Sequence, residues 1–100
     1  MLSGFGKLNN LIQTLQEKTK TMTVTVEVGD GAVRLVMNGH QEVVEMALNQ
    51  SLLEPCEAAL ITELVVYAFN EALQQSRQMV KEEVAKATGG INLPFLPGLF

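Results

Sequence analysis

This 100-residue chain has one cysteine, one histidine and few positive charges. A single cysteine excludes an internal disulfide framework and a cysteine-built zinc cage, and it points to a reducing compartment. Seven Lys and Arg stand against eleven Asp and Glu, a net charge of −4. Attachment to nucleic acid by overall positive charge is thereby excluded, and any phosphate-contacting surface has to come from local clustering. No run of about 18 uncharged apolar residues occurs, so no membrane-spanning helix is expected. The N-terminal stretch, polar throughout with one early lysine, lacks the apolar centre of a signal peptide, and a cytoplasmic location is expected.

What remains suits one small folded unit. A hydrophobic content of 47% argues against disorder, and the length leaves room for a single domain. In residues 5–20 the apolar positions Phe5, Leu8, Ile12 and Leu15 recur at spacings of three and four, continued by Met22, with Thr19 in the one non-apolar slot. That is a helix with a seam for another helix, and Asn9, Asn10, Gln13, Gln16 and Glu17 form its solvated side. The period then changes to two. Met22, Val24, Val26 and Val28 alternate with Thr21, Thr23, Thr25 and Glu27, which predicts a strand over 21–28.

Gly29-Asp30-Gly31 predicts a hairpin turn and residues 32–37 a second strand. Asn38-Gly39 reads as a two-residue hairpin turn leading to a third strand over 41–48, a segment whose pattern is also compatible with a helix. Asn49-Gln50-Ser51 breaks the pattern, and Pro55 suits the first turn of a new helix. From Glu57 to about Thr88 nothing interrupts helix formation, which predicts a helix over 56–88, and Gly89-Gly90 stops it. Thirty-two helical residues would make a rod of about 48 Å. The fold class is α+β: an N-terminal helix, a three-stranded antiparallel sheet and a long C-terminal helix. These elements form one domain over 1–90, followed by an uncharged apolar tail over 91–100 with two prolines.

The long helix changes character along its length. Leu60, Ile61, Leu64, Val65, Val66, Tyr67, Ala68 and Phe69 surround its first half, and a helix apolar all round is buried all round. The second strand offers Val33, Leu35 and Met37 on one face and Ala32 and Val36 on the other. One short helix is too little cover for both surfaces, so a second copy of the chain is expected, the commonest closed assembly being a two-fold homodimer. Val33, Leu35, Met37, Leu64, Val65, Ala68 and Phe69 are the expected core and dimer-contact residues. Beyond Gln74 the helix narrows to a stripe of Ala72, Leu73, Met79, Val80, Val84 and Ala87. Packed on the N-terminal helix, it would form an arm.

Candidates for chemistry are few. His40 lacks an orienting acid and a nucleophile and follows a tight turn, so an exposed hairpin residue is expected. Cys56 begins a helix whose dipole favours a thiolate, but no second cysteine or nearby histidine accompanies it, and a structural thiol is expected. Gly4-Phe5-Gly6-Lys7 lacks the glycine spacing and preceding strand of a phosphate loop and reads as a flexible terminus. The adjacent Glu82 and Glu83 read as a solvated helix face. No catalytic residue, metal ligand or cofactor site is expected.

Charge placement is more informative. Residues 1–21 carry Lys7, Lys18 and Lys20 against Glu17, and residues 76–100 carry Arg77, Lys81 and Lys86 against Glu82 and Glu83. Residues 22–75 hold Arg34 against eight acids, a net of −7. Six of the seven basic residues thus lie on the expected arm, a pattern compatible with phosphate contact and also with ordinary helix solubility.

Along most of its length the sequence resembles the YbaB/EbfC-type nucleoid-associated proteins of bacteria. The resemblance rests on residues 8–11 followed by Gln16-Glu17-Lys18, the strand pair closed by Asn38-Gly39, and Leu48-Asn49-Gln50-Ser51-Leu52-Leu53. It continues with Leu64-Val65, Ala68, Asn70 and Ala72, and with Thr88-Gly89-Gly90 before Leu93-Pro94. Order and spacing together carry it. It implies a tweezer-like homodimer with helical arms beside a dimeric sheet. It also implies weakly selective binding of duplex DNA in the nucleoid, without cofactor or catalysis.

Lys7, Lys18, Lys20, Arg77, Lys81 and Lys86 are then the expected phosphate contacts. No aromatic residue lies among Arg77, Lys81 and Lys86, so base stacking has little support and duplex is favoured over single strands. The alternative is a protein-interaction module on the same scaffold with DNA binding weakened or lost, its partner held by Leu93, Phe95, Leu96, Leu99 and Phe100 of the tail.

Overall fold

A computed structural model of the chain describes residues 2–55 and 57–89, with side chains from residue 6 onward. Expectations for the Phe5 side chain, Cys56, Gly90 and the tail over 91–100 fall outside the described residues. The order is α1 (Leu2–Thr21), β1 (Thr23–Val28), β2 (Val33–Asn38), β3 (Val43–Leu48), α2 (Gln50–Leu53) and α3 (Ala58–Ala87). The strands form one antiparallel sheet in the order β1-β2-β3. The fold class is the one expected from the sequence, and the third segment is a strand.

Several boundaries differ from expectation. α1 begins at Leu2, so Gly4-Phe5-Gly6-Lys7 is helical and not a loose terminus. At its other end Thr21 completes the last turn, its hydroxyl donating to the Lys18 carbonyl (2.8 Å), and β1 starts two residues later than the alternation suggested. Pro55 precedes α3 by three residues and lies in the turn after α2. The short α2 was not expected; the Asn49 side chain caps it by accepting from the Ser51 N–H (3.1 Å). α3 ends at Ala87, and Gly89 takes the left-handed conformation (φ +67°) that commonly follows a helix.

The two hairpins use different chemistry. Between Val28 and Val33, Asp30 and Gly31 both have positive φ (57° and 91°), as a type I′ turn requires, and Ala32 N–H donates to the Gly29 carbonyl (3.1 Å). Asn38-Gly39 does not form the expected two-residue turn. Asn38 is the last residue of β2, its side chain accepts from the N–H groups of His40 (2.9 Å) and Glu42 (3.1 Å), and Gln41 holds the left-handed position (φ +59°). The Asn38 N–H donates to the Glu42 carbonyl (3.0 Å), and within this closing pair the loop is the three residues 39–41. Gly39 is needed for close approach: a Cβ there would lie 2.8 Å from the Thr19 Cβ and closer still to the Thr19 carbonyl oxygen.

One sheet face is the core. Val26, Val33, Leu35 and Met37 pack against Ala68 and Ala72 of α3, with Val24, Val28, Leu64, Val65 and Leu73 at the margin. The small alanines let the helix lie close over β1 and β2. Val33, Leu35, Met37 and Ala68 are fully buried within one protomer. They belong to the protomer's core, and among the residues expected as core and dimer contacts only Phe69 is exposed.

The apolar residues on the opposite face of β2 are covered as well. Val36, paired with Thr25 and Glu45, and Ala32 are both buried in the single chain. The uncovered apolar surface lies elsewhere. Met46 and Leu48 pair with Leu35 and Val33 and so stand on the core side of the sheet, yet α3 does not reach over β3, and they are 45% and 52% exposed. Val43, Val44, Leu52, Leu60, Val66, Tyr67 and Phe69 are also exposed.

Beyond the sheet, the second half of α3 pairs with α1. Leu15, Val80 and Val84 form a second small core with Leu11 and Ile12. This is the arm the two apolar stripes predicted, although Ala87 is exposed. The molecule measures 63 × 19 × 18 Å.

Candidate nucleic-acid interface

The arm carries six of the chain's seven basic residues, and a network of buried polar groups attaches it to the sheet. Gly39 N–H donates to the Thr19 carbonyl (2.9 Å), and the His40 Nε2–H donates to the Gln16 carbonyl (2.7 Å). A carbonyl only accepts, so the proton is on Nε2. His40 is accordingly half-buried, and not the exposed turn residue the sequence suggested. On the other side, Ser76 Oγ donates to the Asn38 carbonyl (2.7 Å), and Gln41 Nε2 donates to Ser76 Oγ (3.3 Å) and to the Gly39 carbonyl (2.8 Å). Thr19 and Ser76 are completely buried, and Thr19 satisfies its hydroxyl on the Leu15 carbonyl (2.8 Å). The loop 39–41 is thus wedged between the end of α1 and the middle of α3.

Electrostatics divide the basic residues. Lys18 reaches across the arm to Glu83, and Lys86 lies 3.7 Å from the same carboxylate. Glu83 is 5% exposed, so it is not part of a solvated face; Glu82 alone is exposed, accepting from Gln78 (3.1 Å). The hydrogen bond from Lys18 holds the Glu83 carboxyl below the usual carboxylate range. Burial works against this, and the charges of Lys18 and Lys86 reinforce it. Lys7, Lys20, Arg77 and Lys81 are exposed and make no ion pair among the described residues. Arg34 bridges Glu27 (3.7 Å) and Glu45 (3.2 Å) on the sheet.

Residue-type counting missed Glu83, Thr19, Ser76 and Gln41 as organising groups. A signal was present for three of them. Thr19 occupies a seam position of α1, Ser76 lies four residues after Ala72 and four before Val80, and Glu83 lies three after Val80, so all fall on apolar stripes. Gln41 carried no such mark. Among the described residues there is no grouping of His, Cys, Asp and Glu that could hold a metal ion, and no helix long and apolar enough to cross a membrane.

The family profile of the YbaB/EbfC DNA-binding family matches residues 1–91. The chain belongs to this family. Among its relatives, a protein of Syntrophobacter fumaroxidans named nucleoid-associated protein is 35% identical over 95 residues, covering 93% of this chain and 86% of its own length. One of Moorella thermoacetica with the same name is 36% identical over 101 residues, covering 91% and 97%. One of a Thermoanaerobacter species, also named nucleoid-associated, is 34% identical over 100 residues, covering all of this chain and 87% of its own length. In this YbaB/EbfC chain six of the seven Lys and Arg residues lie on a helical pair that projects past the sheet.

Proposed function

We propose that this chain is a nucleoid-associated protein that binds duplex DNA as a tweezer-like homodimer, with weak sequence selectivity. The observation that carries the reading is the arm. α1 and the second half of α3 hold six of seven basic residues on a projecting helical pair, while residues 22–75 are acidic. A cationic arm on an acidic body directs phosphate to the arm and repels it from the sheet. The cations act on phosphate as point charges, which fix position on the duplex and do not read bases.

The homodimer reading draws on the bare core-side residues of β3, Met46 and Leu48, together with Val66, Tyr67 and Phe69 of α3. These residues leave apolar surface on the bare strand and on the outer side of α3, which a second copy would cover. Two copies double the arms and their phosphate contacts. No catalysis, cofactor or metal enters the reading, and the place of action is the nucleoid within the cytoplasm.

Fluorescence anisotropy of labelled duplex across a salt series tests it. Log affinity should fall linearly with log salt, by about 0.9 per phosphate neutralised, and unrelated duplexes of equal length should bind within about threefold of one another. No binding at low salt would overturn the reading and favour the protein-interaction alternative. One observation favours that alternative: Glu83 already occupies Lys18 and Lys86.

A further inference from the structure

The six arm cations do not form one surface. A helix turns about 100° per residue, so Lys7 and Lys18, eleven positions apart, lie within about 20° of each other on α1, whereas Lys20 lies about 160° from Lys18. On α3 the buried stripe through Ala72, Ser76, Val80, Glu83 and Val84 separates two flanks. Arg77 and Lys81, one turn apart, occupy one flank, and Lys86 and Glu82 the other.

The contact between Lys18 and Glu83 shows which flanks share a side. α1 and α3 run antiparallel in the arm, Thr19 lying near the loop that holds Ser76 while Leu11 and Leu15 pack with Val80 and Val84. In an antiparallel pair the flanks of like sense meet on the same side. Lys7, Lys18 and Lys86 therefore share a side with Glu82 and Glu83. Lys20, Arg77 and Lys81 share the opposite side, where the exposed neighbours include the amides Asn9, Gln13 and Gln74; the exposed Glu17, about 60° from Lys20, stands at its outer margin and makes no ion pair with any of the three.

We infer that the arm grips phosphate by this one side, through Lys20, Arg77 and Lys81, and that the side organised by Glu83 faces away from the duplex. The inference rests on the DNA-binding reading and specifies its surface. This side combines three cations that make no ion pair among the described residues with amide groups that can donate to phosphate and sugar oxygens. On the other side Glu83 holds Lys18 and Lys86 as internal counter-ions, and moving them to phosphate would leave a buried carboxylate without its partners. One side of each arm then engages DNA, and the dimer presents two such sides.

Two variants matched in charge test this: R77Q/K81Q and K7Q/K86Q, all four positions being exposed. Each removes four positive charges from the dimer. The salt slope of R77Q/K81Q should fall by about 3 to 4, since each lost phosphate contact removes about 0.9, with affinity at low salt reduced at least tenfold. K7Q/K86Q should lose clearly less slope than R77Q/K81Q. The charge-preserving R77K/K81R should keep the wild-type slope, and circular dichroism checks that every variant is folded. Equal losses of slope in the two matched variants, or the greater loss in K7Q/K86Q, would overturn the inference while leaving DNA binding intact. Absence of salt-dependent binding by the wild-type protein would overturn the DNA-binding reading, and this inference with it.

Discussion

Lys18 and Glu83, 65 positions apart in the chain, meet across the arm and fix which side of α1 faces which side of α3. The carboxylate is almost fully shielded while much of the lysine remains in solvent. The pair therefore acts as a latch at the edge of the small core of Leu15, Val80 and Val84. Its consequences extend from stability to the side of the arm left free for phosphate.

The latch is pH-dependent. The Glu83 carboxyl is held below its ordinary value of 4.5, so above that pH the folded and unfolded states are both ionised and the stabilisation is fully present. As the pH falls past 4.5 the unfolded state takes up a proton first, and stability is lost until the folded carboxyl is protonated too. Thermal melts between pH 3 and 7 should show Glu83→Gln less stable than wild type at neutral pH, with the gap closing in acid. A gap that stays constant across the range would remove Glu83 as the titrating group.

Gly39→Ala should destabilise the junction between arm and sheet. The new methyl group would press on the Thr19 backbone, which cannot swing away as a side chain can, and the cost is about 1–3 kcal/mol. Urea denaturation followed by circular dichroism measures it. A wild-type midpoint would show that the loop yields at no cost.

Truncating Leu35 opens a cavity at the centre of the main core, where this side chain is completely buried. Leu35→Ala should cost about 2–5 kcal/mol, whereas Leu52→Ala, at a residue 42% exposed in the protomer, should cost under about 1 kcal/mol in a monomeric reference state. Chemical denaturation of the two variants checks the ranking.

The bare edge of the sheet should govern association. Met46→Glu combined with Tyr67→Glu places charge on two residues that are exposed in the protomer, so folding should survive. Light scattering should find the wild-type protein at twice 10.9 kDa and the variant at 10.9 kDa. A variant that retains the doubled mass would show that the copies pair through another surface.

Much of the fold was legible because period and turn chemistry are local. The alternation around Val24, Val26 and Val28 announced β1, the three-and-four spacing of Leu8, Ile12 and Leu15 announced α1, and uninterrupted helix formers announced α3. The Asn38-Gly39 prediction failed in kind. A dipeptide suggests a turn, but close approach to Thr19 and the bond from Gly39 to its carbonyl come from another element, and these demand the three-residue loop. The surplus apolar surface was likewise legible in amount and misplaced in detail. Sequence alone assigned it to the first half of α3 and to both faces of β2; α3 does leave Leu60, Val66, Tyr67 and Phe69 exposed, whereas β2 is covered and the bare strand is β3.

The sequence by itself determined the order of the two long helices and three strands, the antiparallel sheet, the two apolar stripes that make an arm, and the concentration of six cations upon it. These follow from periodicity and composition, which a chain carries wherever it folds. Only the tertiary structure decided which of those cations are committed. Whether Lys18 points at solvent or at Glu83, and whether His40 hangs from a turn or holds the Gln16 carbonyl, depends on how α1 is rotated against α3. That rotation is set by the packing of Leu15 on Val80 and Val84 and by the loop wedged at the arm's base, contacts between residues far apart in the chain.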